Sequence, residues 1–516
     1  MDEEKYIEEE EVEEKEAKGT LAKKITLMGL ILMIFSSIFG WNNSLTAFYQ
    51  MGYSSILWYL FAAVFFFIPA ALMFAEYGAS FKAAKGGIFS WLRGSIGEKL
   101  AFIGTFIWLS AWVVWLVSSS QYFLVALSTM LFGHDTTAAW HLFGLSSDMT
   151  LAILEVAFLT LVTFISVHGV DRIVKVTSVA GFFTLGIPVA FTIVSLVILF
   201  MHHGVLAEPF TVTNLVISPN PNFMTSIAVV SFIVYALFAY GGMETMSGVI
   251  DNVDNPSKTF PRGVLMGAGI MMVLYVLVIF ICGISTNWAA VLGNDNVNLA
   301  NVEYVVINNL GLEIGKGLGL SLAASELLGR IFSHITAFCD VFGGIGAAFV
   351  MSYSPIKSFV GGCDSRVLPK KLTALNKHGM PAFAMWCQVI FVSVIILFIA
   401  SGGAAADEFY TILMDMMNVG SSTPYLFLIG AFPFFKMKKD LDRPFVFYKN
   451  MTVTWLVSGI VWLVVAVGII FTIIEPIWTG DYMTSFWTAF GPVFFGLVAW
   501  GFYTWKEHTH VLDEEK

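Results

Sequence analysis

Charge is what this chain has least of. Asp, Glu, Lys and Arg make up only 12% of its 516 residues, against about 25% in an ordinary soluble domain. Beside 57% hydrophobic and 15% aromatic residues, that shortfall excludes a water-soluble globular protein. Cysteine is scarce as well. Cys282, Cys339, Cys363 and Cys387 are the only four and form no CxxC pair, so no disulfide framework and no thiolate metal site is expected. The HExxH, GxSxG and P-loop patterns are missing, and GLEIGKG (311–317) lacks the spacing and the Ser/Thr of a phosphate loop. An enzyme and direct ATP drive therefore lose their usual signatures. A TVGYG-like channel filter is absent too. No cofactor, metal or nucleic-acid partner is called for, and no cleavable signal peptide is read at the acidic N-terminus.

Apolar runs of about 20 residues, enough to cross about 30 Å of hydrocarbon, fill the chain instead. Twelve begin near Ile25, Ser55, Ala101, Thr150, Val174, Phe223, Val264, Leu327, Ala382, Phe409, Val453 and Thr484. Cytoplasmic loops carry the excess of Lys and Arg. Placing the N-terminus inside puts 25 of the 27 basic residues on the cytoplasmic side, leaving only Lys316 and Arg330 outside. Both termini are thus expected in the cytoplasm, with the chain multi-pass in the plasma (inner) membrane. Most of the net charge of −10 lies in Met1–Lys18, where ten acids face three lysines; such a run reads as a solvated, disordered tail.

The first span carries SSIFGWNNS (36–44) at its midpoint, and the sixth carries AYGGMET (239–245) at its own. Glycines, asparagines and a glutamate add nothing to a continuous helix in lipid. Non-helical backbone is tolerated at that depth only where protein or a wet cavity satisfies its polar groups. The two interruptions lie five spans apart, so the second group of five spans enters the membrane inverted. Paired interruptions in inverted halves point to a transporter's substrate site. The expected fold is all-α and integral to the membrane: twelve transmembrane helices in a 5+5 inverted repeat, helices 1 and 6 discontinuous, two helices peripheral. The expected divisions are an acidic tail (1–22), a first repeat (23–201), an outer connection (202–222), a second repeat (223–435), the peripheral pair (436–505) and a short tail (506–516).

Three stretches carry a family likeness. EYGASFKAAKGGIFSW (76–91), FAYGGMETMSGVIDNVDNPSKTFPRGV (238–264) and DLDRPF (440–445) resemble signatures of the amino acid–polyamine–organocation superfamily. TLMGLILMIFSSIFG and YLFLIGAFPFFK are similar to the YjeM-type permeases of its glutamate/γ-aminobutyrate antiporter branch. The resemblance implies a LeuT-like fold, alternating access, and amino acids or related amines as substrates. A coupling proton or counter-substrate would be the second partner, with membrane lipid around. A sensor or channel of the same fold, binding a solute without carrying it, is the other reading. Where many members carry Gly-x-Gly, this chain reads Gly40, Trp41, Asn42.

The candidate substrate-binding residues follow from the interruptions. In span 1 they are Ser36, Ser37, Gly40, Trp41, Asn42 and Asn43, with Asn42 or Asn43 also able to cap the second half-helix. In span 6 they are Phe238, Tyr240, Gly241, Gly242 and Glu244. An ionisable group at mid-membrane is a functional candidate by default, and the resemblance places Glu244 on the family's Gly-x-Glu position. It also makes Phe238 an aromatic gate. Secondary candidates are Ser119 in span 3, His334 and Asp340 in span 8, and Asp415 in span 10. His334 and Asp340 stand six residues apart, about 240° around a helix, so both cannot face one cavity squarely. Gly343, Gly344 and Gly346 read as sites of close helix approach.

Overall fold

The computed structural model describes residues 24–294, 297, 301–364, 367–402, 404–417 and 419–509. The acidic tail read over residues 1–22 lies outside them. Among the described residues the chain is helical, and ten helices are long and apolar enough to cross a membrane. The first apolar run is split into α1 (Leu27–Ile38) and α2 (Asn42–Met51). A tight turn at Gly52 leads to α3 (Ser55–Ala62), which continues through a π-helical stretch into α4 (Ile68–Ser80). Then come α5 (Gly87–Ile96), α6 (Glu98–Phe132), α7 (Ser147–Ser166) and α8 (Val170–Met201). α9 (Ser226–Phe238) breaks into a 3₁₀ segment, Met243–Asn252, before α10 (Pro256–Ser285). α11 (Val302–Gly317) and α12 (Leu322–Gly362) follow, then α13 (Ala382–Ala400). The tenth run is also split, into α14 (Ala404–Met417) and α15 (Thr423–Met437). α16 (Met451–Trp478) and α17 (Tyr482–His508) close the chain.

Local chemistry fixes many of the helix starts. Side-chain oxygens of Thr26, Ser146, Thr225, Ser321, Asn450 and Asp481 each accept from a first-turn amide of the helix that follows. These are the residue types that best satisfy the unpaired N–H groups of a helix start. Pro256 opens α10, where its missing N–H costs nothing.

α1 is enclosed by α8, α10 and α12. Without a hydrophobic drive between helices in lipid, such contacts rely on small residues that let backbones meet. Gly181 of α8 is the tightest case: a Cβ there would lie 2.1 Å from the Leu32 carbonyl oxygen of α1. Gly346 of α12 abuts Ala180 and Ser36 in the same way, whereas Gly344 has only ordinary contacts. Gly181→Ala is expected to cost about 1–3 kcal/mol by overpacking, read as a lower melting temperature of detergent-purified protein; an unchanged melt would show that α8 can slide off α1 freely.

The interrupted helices are tied at their far ends as well. Ile25 pairs with the chain after the 3₁₀ segment, its N–H donating to Asn252 O at 2.8 Å and its carbonyl accepting from Asp254 N at 2.9 Å. The 3₁₀ segment packs on α12, where Ser354 Oγ donates to Thr245 O and Lys357 Nζ donates to Asp251 at 2.6 Å. A second polar knot joins two of the sequence motifs. Glu76, wholly buried at the end of α4, accepts from Lys436 Nζ at 2.5 Å and from the Phe447 and Tyr448 amides at 2.8 and 2.7 Å. α16 and α17 lie on the outside and expose Leu456, Leu463, Ile470, Phe486 and Leu497, as a lipid-facing surface does.

Candidate functional site

Between the interrupted helices lies a cavity of about 730 Å³. Its α1 wall comes from the first interruption. Phe39 turns extended, and Gly40 and Trp41 stay out of the helix until α2 begins at Asn42. Ser36, Ser37, Gly40, Trp41, Asn42 and Asn43 all line the cavity. The two serines bond back to Met33 O, at 3.1 and 2.6 Å, which satisfies their hydroxyls within α1. Neither asparagine caps α2: the cap position is Trp41, with no side-chain bond. Asn43 instead accepts the Tyr235 hydroxyl on its Oδ1 at 3.1 Å, tying α2 to α9. The Asn43 and Ser44 amides donate to Gly40 O and Trp41 O, both at 3.0 Å, and the positive end of the α2 dipole lies at the interruption.

The facing wall comes from the second interruption. Gly242 has φ +112°, a conformation that favours glycine. Phe238, Gly241, Gly242 and Glu244 line the cavity. Glu244 is buried, and both of its oxygens are taken: Trp108 Nε1 donates to Oε1 at 3.0 Å and the Tyr425 hydroxyl to Oε2 at 2.5 Å. The same Tyr425 hydroxyl accepts from Gly242 N at 2.7 Å. One phenol thus links the left-handed glycine to the acid. A second phenol spans the two interruptions, since the Tyr275 hydroxyl accepts from Gly40 N at 3.3 Å and donates to Ala239 O at 3.0 Å.

A further polar group lines the cavity. Asp340 of α12 accepts from Trp41 Nε1 at 3.3 Å and from the Tyr304 hydroxyl at 3.4 Å. Glu303, at the start of α11 and next to Tyr304, lines the same cavity. Ser119 of α6 also lines this space.

Three sequence candidates stand elsewhere. Tyr240 points away from the cavity and stacks on Phe67, ring centres 4.6 Å apart, because the turn at Gly241 and Gly242 rotates it into the aromatic packing behind α9. His334 sits a helical face away from Asp340, its Nδ1 2.8 Å from Met130 O, and packs between α12 and α6. Asp415 accepts from Thr484 Oγ1 of α17 at 3.2 Å, on the side of α14 turned from the cavity. Conversely, Trp108, Tyr275, Glu303, Tyr304 and Tyr425 were not singled out from sequence. A buried tyrosine or tryptophan has no pattern that separates it from packing. The break between α14 and α15, where Ser421 and Ser422 reach the cavity, did leave a signal in Gly420, the two serines and Pro424.

The family model described as amino acid permease matches residues 25–500. The inner membrane transporter YjeM of Salmonella typhimurium is 43% identical over 482 residues, spanning 93% of this chain and 96% of that protein. The aspartate/glutamate permease AcaP of Lactococcus lactis is 24% identical, covering 80% of this chain and 79% of its own. A glutamate/gamma-aminobutyrate antiporter of the same species is 23% identical, covering 88% and 84%. Among solved structures, a substituted form of the Eremococcus coleocola manganese transporter superposes with a TM-score of 0.54 over 94% of both chains, at 12% identity, a likeness of fold alone.

Proposed function

This chain belongs to the amino acid permease family, and from that premise we propose that it is a secondary active transporter carrying amino acids or related amines across the inner membrane by alternating access. The observation that carries the reading is the meeting of two interrupted helices across one polar cavity, with Gly40 and Ala239 bonded to the same Tyr275 hydroxyl. At such a meeting, peptide dipoles are available to a small charged guest in the middle of the lipid. The split runs α1/α2, α9 with its 3₁₀ segment, and α14/α15, each counted as one crossing, make twelve with α3/α4, α6, α7, α8, α10, α12, α13, α16 and α17. Five and five of these form inverted repeats, with α16 and α17 peripheral and both termini in the cytoplasm.

Access from one side at a time fits the packing. Tyr122, which lines the cavity, is 73% exposed and marks its mouth. At the other end the 3₁₀ segment is pressed onto α12, where a Cβ on Gly248 would lie 2.2 Å from Ser354 Oγ. Alternating access then amounts to loosening this contact while closing the mouth, and the Lys357–Asp251 pair sits where it would have to part.

Counterflow tests the reading. Proteoliposomes loaded with an unlabelled amino acid are expected to accumulate the labelled form transiently against its gradient. A solute that binds the purified protein yet shows no counterflow would make the chain a sensor, and flux without counterflow would make it a channel.

A further inference from the structure

Among the described residues that line the cavity, the ionisable side chains with formal charge are all acids: Glu244, Glu303 and Asp340; no Lys, Arg or His joins them. Glu244 is served by two donors. Of the other two, Asp340 receives Trp41 Nε1 and the Tyr304 hydroxyl, but Glu303 Oε1 is buried and accepts no hydrogen bond. A buried carboxylate oxygen without a donor is costly, and Glu303 is one of the residues that line the cavity. The cation of α12, Lys357, lies toward its other end, 17 residues beyond Asp340, and is committed to Asp251 at 2.6 Å.

Resting on the transport reading above, we propose that the solute this cavity takes carries more ammonium than carboxylate groups, a basic amino acid or an alkyl diamine, with an ammonium held between Glu303 and Asp340. An ammonium has three donors and no acceptor, which suits Glu303 Oε1 and the Asp340 oxygens together. If the solute also bears a carboxylate, the amides at the start of α2, beside Gly40 and Trp41, favour it by their dipole. An acidic amino acid brings a second carboxylate into a lining that offers it no cation. Its charge would be left desolvated and next to like charge, which is how a site excludes the wrong guest.

The test is direct binding, which does not depend on transport. Full-length protein in detergent is titrated with L-lysine, putrescine, L-leucine and L-glutamate by thermal shift and calorimetry. L-lysine or putrescine should bind saturably, and L-glutamate should bind far more weakly or not at all. Which of the two cations binds tighter separates an amino acid from a diamine. Asp340→Asn should weaken the cation at least about 30-fold, the usual consequence of removing one partner of a buried charge pair. Glu303→Gln serves as the second variant should Asp340→Asn not fold, and the wild-type preference stands without either. L-glutamate binding as tightly as L-lysine, unchanged cation affinity in both variants, or no saturable shift with either cation would each overturn the assignment. The transport reading fails separately: L-lysine bound without counterflow sinks it and spares the charge assignment, whereas counterflow of L-glutamate does the reverse.

Discussion

Glu244→Gln is expected to reduce solute uptake in proteoliposomes by at least about 10-fold, the worth of about 1.4 kcal/mol of lost positioning, while leaving a folded protein. The reason lies in the direction of each hydrogen bond. Trp108 Nε1 and the Tyr425 hydroxyl both donate to this side chain, and Gly242 N donates to Tyr425. A carboxylate accepts from both donors at once. An amide offers Trp108 its oxygen but turns an NH₂ toward the phenol, so two donors face each other. The hydroxyl must then rotate and seek another acceptor, or leave a buried donor unmet at about 1–3 kcal/mol. Either outcome disturbs the Gly242 turn that shapes the second interruption. Glu244→Ala removes both acceptors and should cost more stability than Gln, which melting temperatures would rank. Wild-type uptake by Glu244→Gln at every pH tested would remove this acid from the mechanism.

Lys436→Met is expected to cost about 3–5 kcal/mol, because it leaves Glu76 as a buried charge without its cation. Glu76 is 0% exposed and the Lys436 side chain 6%. The two Phe447 and Tyr448 amides remain on Oε1 and soften the loss without cancelling it. The loss should appear as a lower melting temperature and poorer recovery of monodisperse protein. Glu76→Gln combined with Lys436→Met removes the stranded charge and keeps an amide oxygen for both backbone donors. That pair of changes should recover most of the stability. A double variant as unstable as Lys436→Met alone would mean that the aliphatic stem of Lys436, and not its charge, holds the end of α15.

Some of the site was readable because its signal is local. Gly40, the asparagines beside it, and Gly241 with Gly242 are poor residues for a helix in lipid wherever the rest of the chain goes, and both helices break at them. The third break does not show in the length and hydropathy of the run from Phe409, and only Gly420 and Pro424 mark it locally. His334 and Asp340 illustrate a partial inference: their spacing said one cavity could not hold both, and only the fold chose Asp340. Tyr240 went the other way, since a residue two positions before the left-handed Gly242 can leave on either face.

The sequence by itself determined the class of the molecule: a multi-pass membrane protein whose apolar runs, scarce charge and interrupted helices are properties of each segment alone. The tertiary structure decided which groups meet. Tyr275 reaches Gly40 across 235 residues, Tyr425 reaches Glu244 across 181, and Trp41 reaches Asp340 across 299. Such meetings depend on how each helix is rotated about its axis. In lipid the outward face is as apolar as the packed one, so hydropathy carries little record of that rotation. Only close packing, backbone on backbone at sites such as Gly181, selects it.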